Sequence, residues 1–262
     1  MLTMINLTSN APMHRLYENY DAALLDCGSV GYSNSELTQV VVQKNITYSN
    51  NLSNNSFYDL NSLRTILGIA WGIGYKSIKV IDFGGGGGQH YQIARHILGD
   101  SVNIQWGVVE TEAMCQAAEK ITNEQLRYFN HVQNAKNSLG TVDMVFASSS
   151  LQYCPDPVEA LQSIIDISAK YIFITRTPFN SGSEKLVSIQ SSRLSANGPG
   201  PLPNDIEDKE ILYPITFIPV EDVIKQLKTK YRILFKTKEE PPTLFLEGRP
   251  VNEYYGLFCE LK

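Results

Sequence analysis

Asp82 is followed within two residues by an unbroken run of glycines, Gly84 to Gly88, directly after an apolar stretch. Glycines let the backbone approach a ligand closely and adopt conformations that other residues avoid. At the carboxyl edge of a parallel sheet, such a turn is typical of a cofactor site. The dinucleotide fingerprint fails because bulky residues stand at its third small position, and the lysine and hydroxyl residue of a P-loop are missing. The run therefore disfavours NAD, FAD and ATP.

The turn resembles the acidic-x-G-x-G-x-G motif of the class I S-adenosylmethionine (SAM)-dependent methyltransferases. Asp82, Gly84, Gly86 and Gly88 stand in its four defining positions, and Gly85 lies between them. The resemblance implies that these residues bind SAM and that S-adenosylhomocysteine is the product. The alternative is a turn that only lets helix and sheet pack closely.

Glu110 ends the next predicted strand, 26 residues after Gly84. In the family resembled, an acid here hydrogen-bonds both ribose hydroxyls, and a carboxylate suits two hydroxyl donors because it offers only acceptors. Alternatively, Glu110 interacts with the positive end of the following helix. Asn130 and His131 stand where many relatives carry an Asp that contacts the adenine amino group. We place Asn130 at the cofactor on this match of position.

The segment from Val142 to Tyr153, followed by Asp156 and Pro157, resembles the fourth-strand motif of the same superfamily. That motif ends where the methyl donor meets the acceptor. The resemblance therefore implies that Ser148 and Ser149 contact SAM.

From about residue 75 to 262 the chain also resembles an uncharacterised branch of bacterial methyltransferases associated with surface-polysaccharide gene clusters. The matching segments are Asp82-Phe83-Gly84-Gly85, His90-Tyr91, Ser149-Ser150-Leu151-Gln152-Tyr153, Arg176-Thr177-Pro178-Phe179 and, more weakly, Gly31-Tyr32. This resemblance implies a small-molecule, sugar or glycan acceptor in polysaccharide biosynthesis.

Methyl transfer is a displacement at a carbon that the sulfonium already activates, so alignment of nucleophile and methyl at about 3 Å supplies much of the acceleration. If the acceptor is a hydroxyl, His90 is the best-placed group to take its proton. His90 could equally cap the turn or contact the cofactor carboxylate. Tyr91 and Tyr153 flank the same edge, either as the wall of the methyl pocket or as ordinary packing.

Arg176 follows the fifth predicted strand and therefore lies at the ligand-binding edge. Its planar guanidinium suits a carboxylate or phosphate, which predicts an anionic acceptor. The alternative is an internal ion pair with Asp143 or Asp156. The remaining histidines have no metal-ligand spacing, and no metal site is predicted.

Strands and helices alternate along most of the chain, which favours a doubly wound parallel sheet. The predicted strands are Ile78 to Phe83, Ile104 to Glu110, Leu126 to Phe129, Val142 to Ala147, Tyr171 to Thr175, Tyr231 to Thr237 and Tyr254 to Leu261. The predicted helices are 57 to 71, 89 to 98, 111 to 121, 156 to 169 and 220 to 227. The family resemblance implies an α/β, Rossmann-like, seven-stranded sheet that is mostly parallel with an antiparallel last strand.

We predict that the chain divides into a polar N-terminal extension, residues 1–55, packed on a domain, residues 56–262, that the resemblance identifies as the methyltransferase domain. The domain contains a predicted insertion at about 180–213 that covers the active-site edge. Within it, the glycines and prolines of the 197–203 segment predict a loop.

Composition and charge bear on the partners and the cellular location that we expect for this protein. A net charge of −5 and the lack of basic runs disfavour nucleic acid as a partner. The four cysteines lie far apart and are expected to be reduced. The start of the chain, Met1 to Leu16, does not resemble an export signal, and no membrane span is predicted, so we expect a cytoplasmic protein. Two rival functions stay open: a SAM-binding interaction protein without catalysis, and a nucleotide-dependent oxidoreductase.

Overall fold

The computed structural model describes residues 13–28, 31–52, 59–70 and 75–262. Its strands are β1 (Ser77–Phe83), β2 (Asn103–Val109), β3 (Leu126–Phe129), β4 (Met144–Ser148), β5 (Tyr171–Asn180), β6 (Leu186–Arg193), β7 (Glu210–Pro219), β8 (Tyr231–Lys238), β9 (Phe245–Leu246), β10 (Arg249–Pro250) and β11 (Asn252–Leu261). Its α-helices are α1 (Tyr20–Cys27), α2 (Ser35–Leu52), α3 (Leu60–Ile69), α4 (Gln89–Leu98), α5 (Glu112–Ala118), α6 (Val132–Leu139), α7 (Pro157–Asp166) and α8 (Val220–Leu227).

Seven strands of the main sheet lie in the order β3-β2-β1-β4-β5-β11-β8. Strands β6 and β7 join it beside β5, so that the sheet of the described chain has nine strands rather than the predicted seven. The strands from β3 to β5 run parallel, whereas β11 is antiparallel to both of its neighbours. This confirms the predicted Rossmann-like α/β fold with its antiparallel last strand. Because β1, β2, β4 and β5 are parallel, their carboxyl ends meet at one edge.

The hydrophobic core lies on both faces of this sheet. One cluster packs helices α6, α7 and α8 against it, and the other packs α4 and residues of α3 on the opposite face. The short strand β4 is buried along its length, as expected for a central parallel strand. Asp156 caps α7 by accepting from the backbone N–H groups of Val158 and Glu159, with Pro157 in the first turn, as predicted.

The segment predicted as an insertion contains more regular structure than its sequence indicated. Strand β6 pairs antiparallel with β7, and the end of β7 pairs in parallel with the end of β5. The glycine and proline segment 197–203 is irregular and lies between the two strands of this hairpin. The strand β5 also continues five residues beyond its predicted end at Thr175.

The N-terminal part forms two helices that the sequence did not predict. Helix α2 packs on α5 and on the β6–β7 hairpin. Leu37 and Val40 of the helix belong to the same buried cluster as Leu194, which lies between the two strands of the hairpin. Lys44 of α2 is buried and donates to the carbonyl oxygens of Ser195 and Asn197, at 2.6 and 2.7 Å. Burial lowers the pKa of Lys44 to about 8. Helix and hairpin are therefore joined by both apolar packing and a buried ammonium.

The helix predicted at 57–71 is present as α3, but its packed face differs from the predicted one. Leu63 and Leu67 are exposed, while Ser62, Thr65 and Ile69 are buried. The ends of the predicted helix, at Phe57 and Trp71, lie outside the described residues. The leucine spacing was therefore wrong as a guide to which face is buried.

All four cysteines are free thiols; Cys27 and Cys259 are buried and the other two are partly buried. In the described part of the chain, no helix combines the length and apolar character that a membrane crossing requires.

Candidate cofactor and acceptor site

A cavity of about 460 Å³ opens at the carboxyl edge of the parallel strands. The glycine turn after β1 and the residues at the ends of β2 and β4 form one side. Helix α2 and the β6–β7 hairpin cover the other. Its lining includes Tyr32, Val41, Asn45, Gly84, Gly85, Gly86, His90, Glu110, Asn130, Ser148, Ser149, Ser150, Tyr153, Arg176, Gln190, Tyr213, Glu240 and Tyr254.

The glycine turn is shaped by left-handed backbone at Gly84, Gly86 and Gly88. A Cβ at Gly84 would lie 2.2 Å from the Ser150 side chain, so a larger residue does not fit there. Gly86 differs, because a Cβ there would meet only Val41, at an ordinary 3.6 Å. Since both residues line the cavity, the space beside Gly86 is available to a ligand rather than filled by protein.

Glu110 stands beside this turn at the end of β2. Its carboxylate accepts from the backbone N–H of Gly86 at 3.0 Å and from that of Thr111 at 2.9 Å. Burial raises the pKa of Glu110 above its ordinary value, and the two backbone hydrogen bonds oppose this shift. Each carboxylate oxygen can accept more than one hydrogen bond, so Glu110 keeps capacity for hydroxyl donors in the cavity.

Asp82 lies beneath the turn, fully buried and behind the cavity wall. It accepts from the Trp106 indole at 3.0 Å, and His90 Nδ1 lies 3.0 Å from its Oδ2. A carboxylate only accepts, so Nδ1 carries the proton and Nε2 is left as an acceptor. The His90 ring also packs edge-on against Phe146. Asp82 thus orients a cavity-lining imidazole and does not itself line the cavity.

The serines after β4 form the next part of the wall. Ser149 has left-handed backbone, and its N–H donates to the carbonyl of Thr175. Its hydroxyl accepts from the Gln152 amide at 3.0 Å. Ser150 is buried, and its hydroxyl has no hydrogen-bond partner within the described chain. Ser148 and Ser149 both line the cavity.

A cluster of tyrosine rings forms another part of the cavity wall. The rings of Tyr32, Tyr153 and Tyr213 lie within 5.2 Å of one another, and the Tyr153 hydroxyl donates to Gln190. Burial raises the pKa values of these three phenols, and it raises that of the nearby Tyr254 to about 12. All four side chains are therefore neutral hydroxyls at physiological pH.

Arg176 lies within β5, at a position with left-handed backbone, opposite an irregularity in the pairing with β11. Its Nε donates to Glu240 at 3.1 Å, and its backbone N–H donates to Glu239. The terminal guanidinium nitrogens have no partner among the described residues, and the side chain is about one third exposed. The ion pair is thus with Glu240, and the two acids proposed as alternative partners are engaged elsewhere.

Those two acids are Asp143, which accepts from the backbone N–H of Lys79, and Asp156, which caps α7. Neither forms an ion pair with Arg176. The sequence could not indicate Glu240, because it follows β8 and is more than sixty residues away.

Three other predicted cofactor residues occupy different settings. Tyr91 is buried in the core, where its hydroxyl donates to Gln125, and it does not line the cavity. Gly88 is the N-cap of α4, also behind the wall. Asn130 is exposed at the cavity margin and donates to Glu112 at 2.9 Å. The Tyr91 ring lies in the core beside Trp106 of β2.

Several lining residues carried no signal in the sequence. They come from α2, from the β6–β7 hairpin, from the segment after β8 and from β11: Val41, Asn45, Gln190, Ser192, Tyr213, Glu240 and Tyr254. Tyr32, which packs beside Tyr213, is the lining residue from the N-terminal part that the sequence analysis had named, through the Gly31-Tyr32 match. The described residues contain no group of His, Cys, Asp and Glu that could hold a metal ion.

Comparisons with protein-family models and with curated proteins give no match. Among solved structures, the N-terminal domain of EvdMO1 with S-adenosylhomocysteine bound is 13% identical, with a TM-score of 0.49, over 77% of this chain and 81% of that one. A SAM-dependent methyltransferase from Clostridium acetobutylicum ATCC 824 is 12% identical, with a TM-score of 0.46, over 78% and 92%. LepI in complex with SAM is 12% identical, with a TM-score of 0.46, over 79% and 49%. At these values the likeness concerns the general course of the chain and says nothing about substrate.

Proposed function

We propose that this protein is a SAM-dependent methyltransferase that acts on a small molecule, at a hydroxyl group. The observation that carries the proposal is the meeting of Gly86 and Glu110 at one wall of a cavity of about 460 Å³. Cavities of roughly 300–1,000 Å³ are typical of small-molecule and cofactor sites.

The residues present fit the cofactor. The open space beside Gly86 admits a ligand against the backbone, and Glu110 offers acceptors to a diol such as a ribose. Asn45 and Ser150, which both line the cavity, each have a buried oxygen with no partner among the described residues, and a polar ligand could supply one. When bound, SAM supplies an electrophilic methyl group on a sulfonium.

The part of the cavity lined by the tyrosine cluster suits a methyl acceptor. Tyr32, Tyr153 and Tyr213 offer flat apolar faces with hydroxyl edges, a combination that suits a ring bearing polar groups. The free terminal nitrogens of Arg176 suit an anionic group, such as a carboxylate or phosphate, on that acceptor. A sugar or glycan intermediate carrying such a group has both properties.

His90 is the group we assign to proton removal. Its Nε2 accepts, because Asp82 holds the proton on Nδ1. In the reaction the acceptor oxygen forms a bond to the methyl carbon as the bond from carbon to sulfur breaks. The hydroxyl proton passes to His90, which lines the cavity in the first turn of the helix that follows the glycine turn.

The proposal is tested by calorimetry with SAM, S-adenosylhomocysteine and, as a control, NAD. One site per chain for the first two ligands and no binding of NAD is the expected result. Failure of both to bind at high micromolar concentration would remove the assignment. With binding established, conversion of SAM is measured against neutral sugars, sugar phosphates and sugar nucleotides. Binding without turnover for any small hydroxylated acceptor would favour a SAM-binding protein without catalysis.

A further inference from the structure

Asn45 is a buried amide on helix α2, outside every motif that the sequence indicated. It is 2% exposed, and its Nδ2 donates to the carbonyl of Val41, one turn earlier, at 2.9 Å. Its Oδ1 is buried and receives no hydrogen bond from any residue that the structure describes. A buried carbonyl oxygen without a donor is costly, so such an atom in a cavity wall indicates a missing ligand donor.

The Asn45 amide lies directly against the glycine turn. A Cβ placed on Gly87 would be 2.4 Å from Asn45 Nδ2, so the two groups are in close contact. Asn45 also lines the cavity together with Gly87 and His90. The Asn45 side chain, which carries the unpaired oxygen, therefore lies between helix α2 and the glycine turn and borders the same cavity.

A second feature at this place concerns helix α4, which begins directly after the turn. Its N-cap is Gly88, so no side chain caps the first backbone N–H groups of the helix. Uncapped N–H groups and the positive end of a helix attract an anion. This corner of the cavity thus presents donors suited to a carboxylate and, on α2, one acceptor suited to an ammonium.

We propose that Asn45 binds the α-ammonium of the cofactor, so that the N-terminal helix α2 completes the cofactor site. The inference rests on the proposed function. The amino-acid end of SAM carries a carboxylate and an ammonium on one carbon, which matches the donors at α4 and the acceptor on Asn45. The N-terminal residues are then part of the binding site rather than an extension packed beside it.

The test compares ligands with and without the amino-acid end. Affinities of S-adenosylhomocysteine and 5′-methylthioadenosine are measured by calorimetry for the wild type, Asn45→Leu and the control Thr38→Val. Thr38 is a buried polar residue on the same helix but outside the cavity. Asn45→Leu should weaken S-adenosylhomocysteine binding at least about tenfold and leave 5′-methylthioadenosine within about threefold, whereas Thr38→Val should change neither.

Equal losses for both ligands, or no loss for either, would overturn the role of Asn45. A wild type that binds neither ligand would instead overturn the proposed function. A second measurement needs no variant: the S-adenosylhomocysteine analogue with hydrogen in place of the α-amino group should bind the wild type at least about tenfold more weakly than S-adenosylhomocysteine. Equal affinity of the two compounds would contradict the proposal even if Asn45→Leu does not fold.

Discussion

The two ends of the cavity are built in different ways. The end proposed for the cofactor is centred on the consecutive glycines after β1 and on Glu110, which follows the neighbouring parallel strand β2. The acceptor end joins Tyr32, Tyr153, Tyr213 and Tyr254, which come from four distant segments. A site built from consecutive residues leaves a motif in the sequence, whereas one built from distant residues does not.

The charged residues at the two ends, Glu110 and Arg176, also differ in their partners. Glu110 accepts from backbone N–H groups and forms no ion pair with any residue that the structure describes, while the Arg176 guanidinium pairs with Glu240. The first arrangement suits neutral hydroxyl donors. The second suits an anion of limited charge, because Glu240 already offsets part of the positive charge. Variants that affect one end and spare the other test this division.

The largest effect is expected at His90, where the two ends meet. His90→Gln keeps a donor toward Asp82 but removes the basic nitrogen, so turnover should fall by about 100-fold or more. Affinity for S-adenosylhomocysteine should stay within about threefold. The matched control is His96→Gln, the same substitution on the same helix outside the cavity. A loss of cofactor affinity with normal turnover at saturation would assign His90 to the cofactor instead.

Gly86→Val should affect only the cofactor end. The new side chain fills the space between the turn and Val41, so S-adenosylhomocysteine binding should weaken by at least about 100-fold, or about 2.7 kcal/mol. Left-handed backbone also strains any side chain, by about 1–2 kcal/mol. Gly28→Val controls for this strain, because Gly28 has similar backbone, open surroundings and no place in the cavity. Wild-type affinity in Gly86→Val would mean that the turn serves packing alone.

Glu110→Ala should weaken SAM and S-adenosylhomocysteine alike, by at least about tenfold, because both share the ribose and a hydrogen bond to a charged group contributes about 1.5–3 kcal/mol. Calorimetry on both ligands checks this. Glu159→Ala removes an acid from the first turn of another helix and should leave binding unchanged. If Glu110→Ala changes only melting temperature, in the same way as Glu159→Ala, then Glu110 serves the helix end.

The smallest effect is expected for variants of Arg176, which should act only at the acceptor end. Its pair with Glu240 is partly exposed, so its removal should cost no more than about 1 kcal/mol. Arg176→Lys and Arg176→Ala should keep cofactor affinity but lower turnover of an anionic acceptor roughly threefold or more. Glu240→Gln should lose less than Arg176→Ala, since it leaves the guanidinium in place. A large drop in melting temperature with unchanged turnover would show that the pair is structural.

The sequence by itself determined the parts of this protein whose cause is local. The periodicity located the parallel strands and predicted α4 and α8 at their observed bounds, and Asp156 marked a helix start because capping depends on a few adjacent residues. The glycine run and Glu110 fell on one edge because parallel strands end together.

Only the tertiary structure decided which side chains face the cavity. Tyr91 and His90 are adjacent in the chain, yet one enters the core and the other the cavity, because neighbouring positions on a helix point in different directions. The partner of Arg176 and the contribution of Asn45 depended on segments more than forty residues away. Such contacts follow from how helix α2 and the β6–β7 hairpin pack over the sheet, which no local pattern encodes.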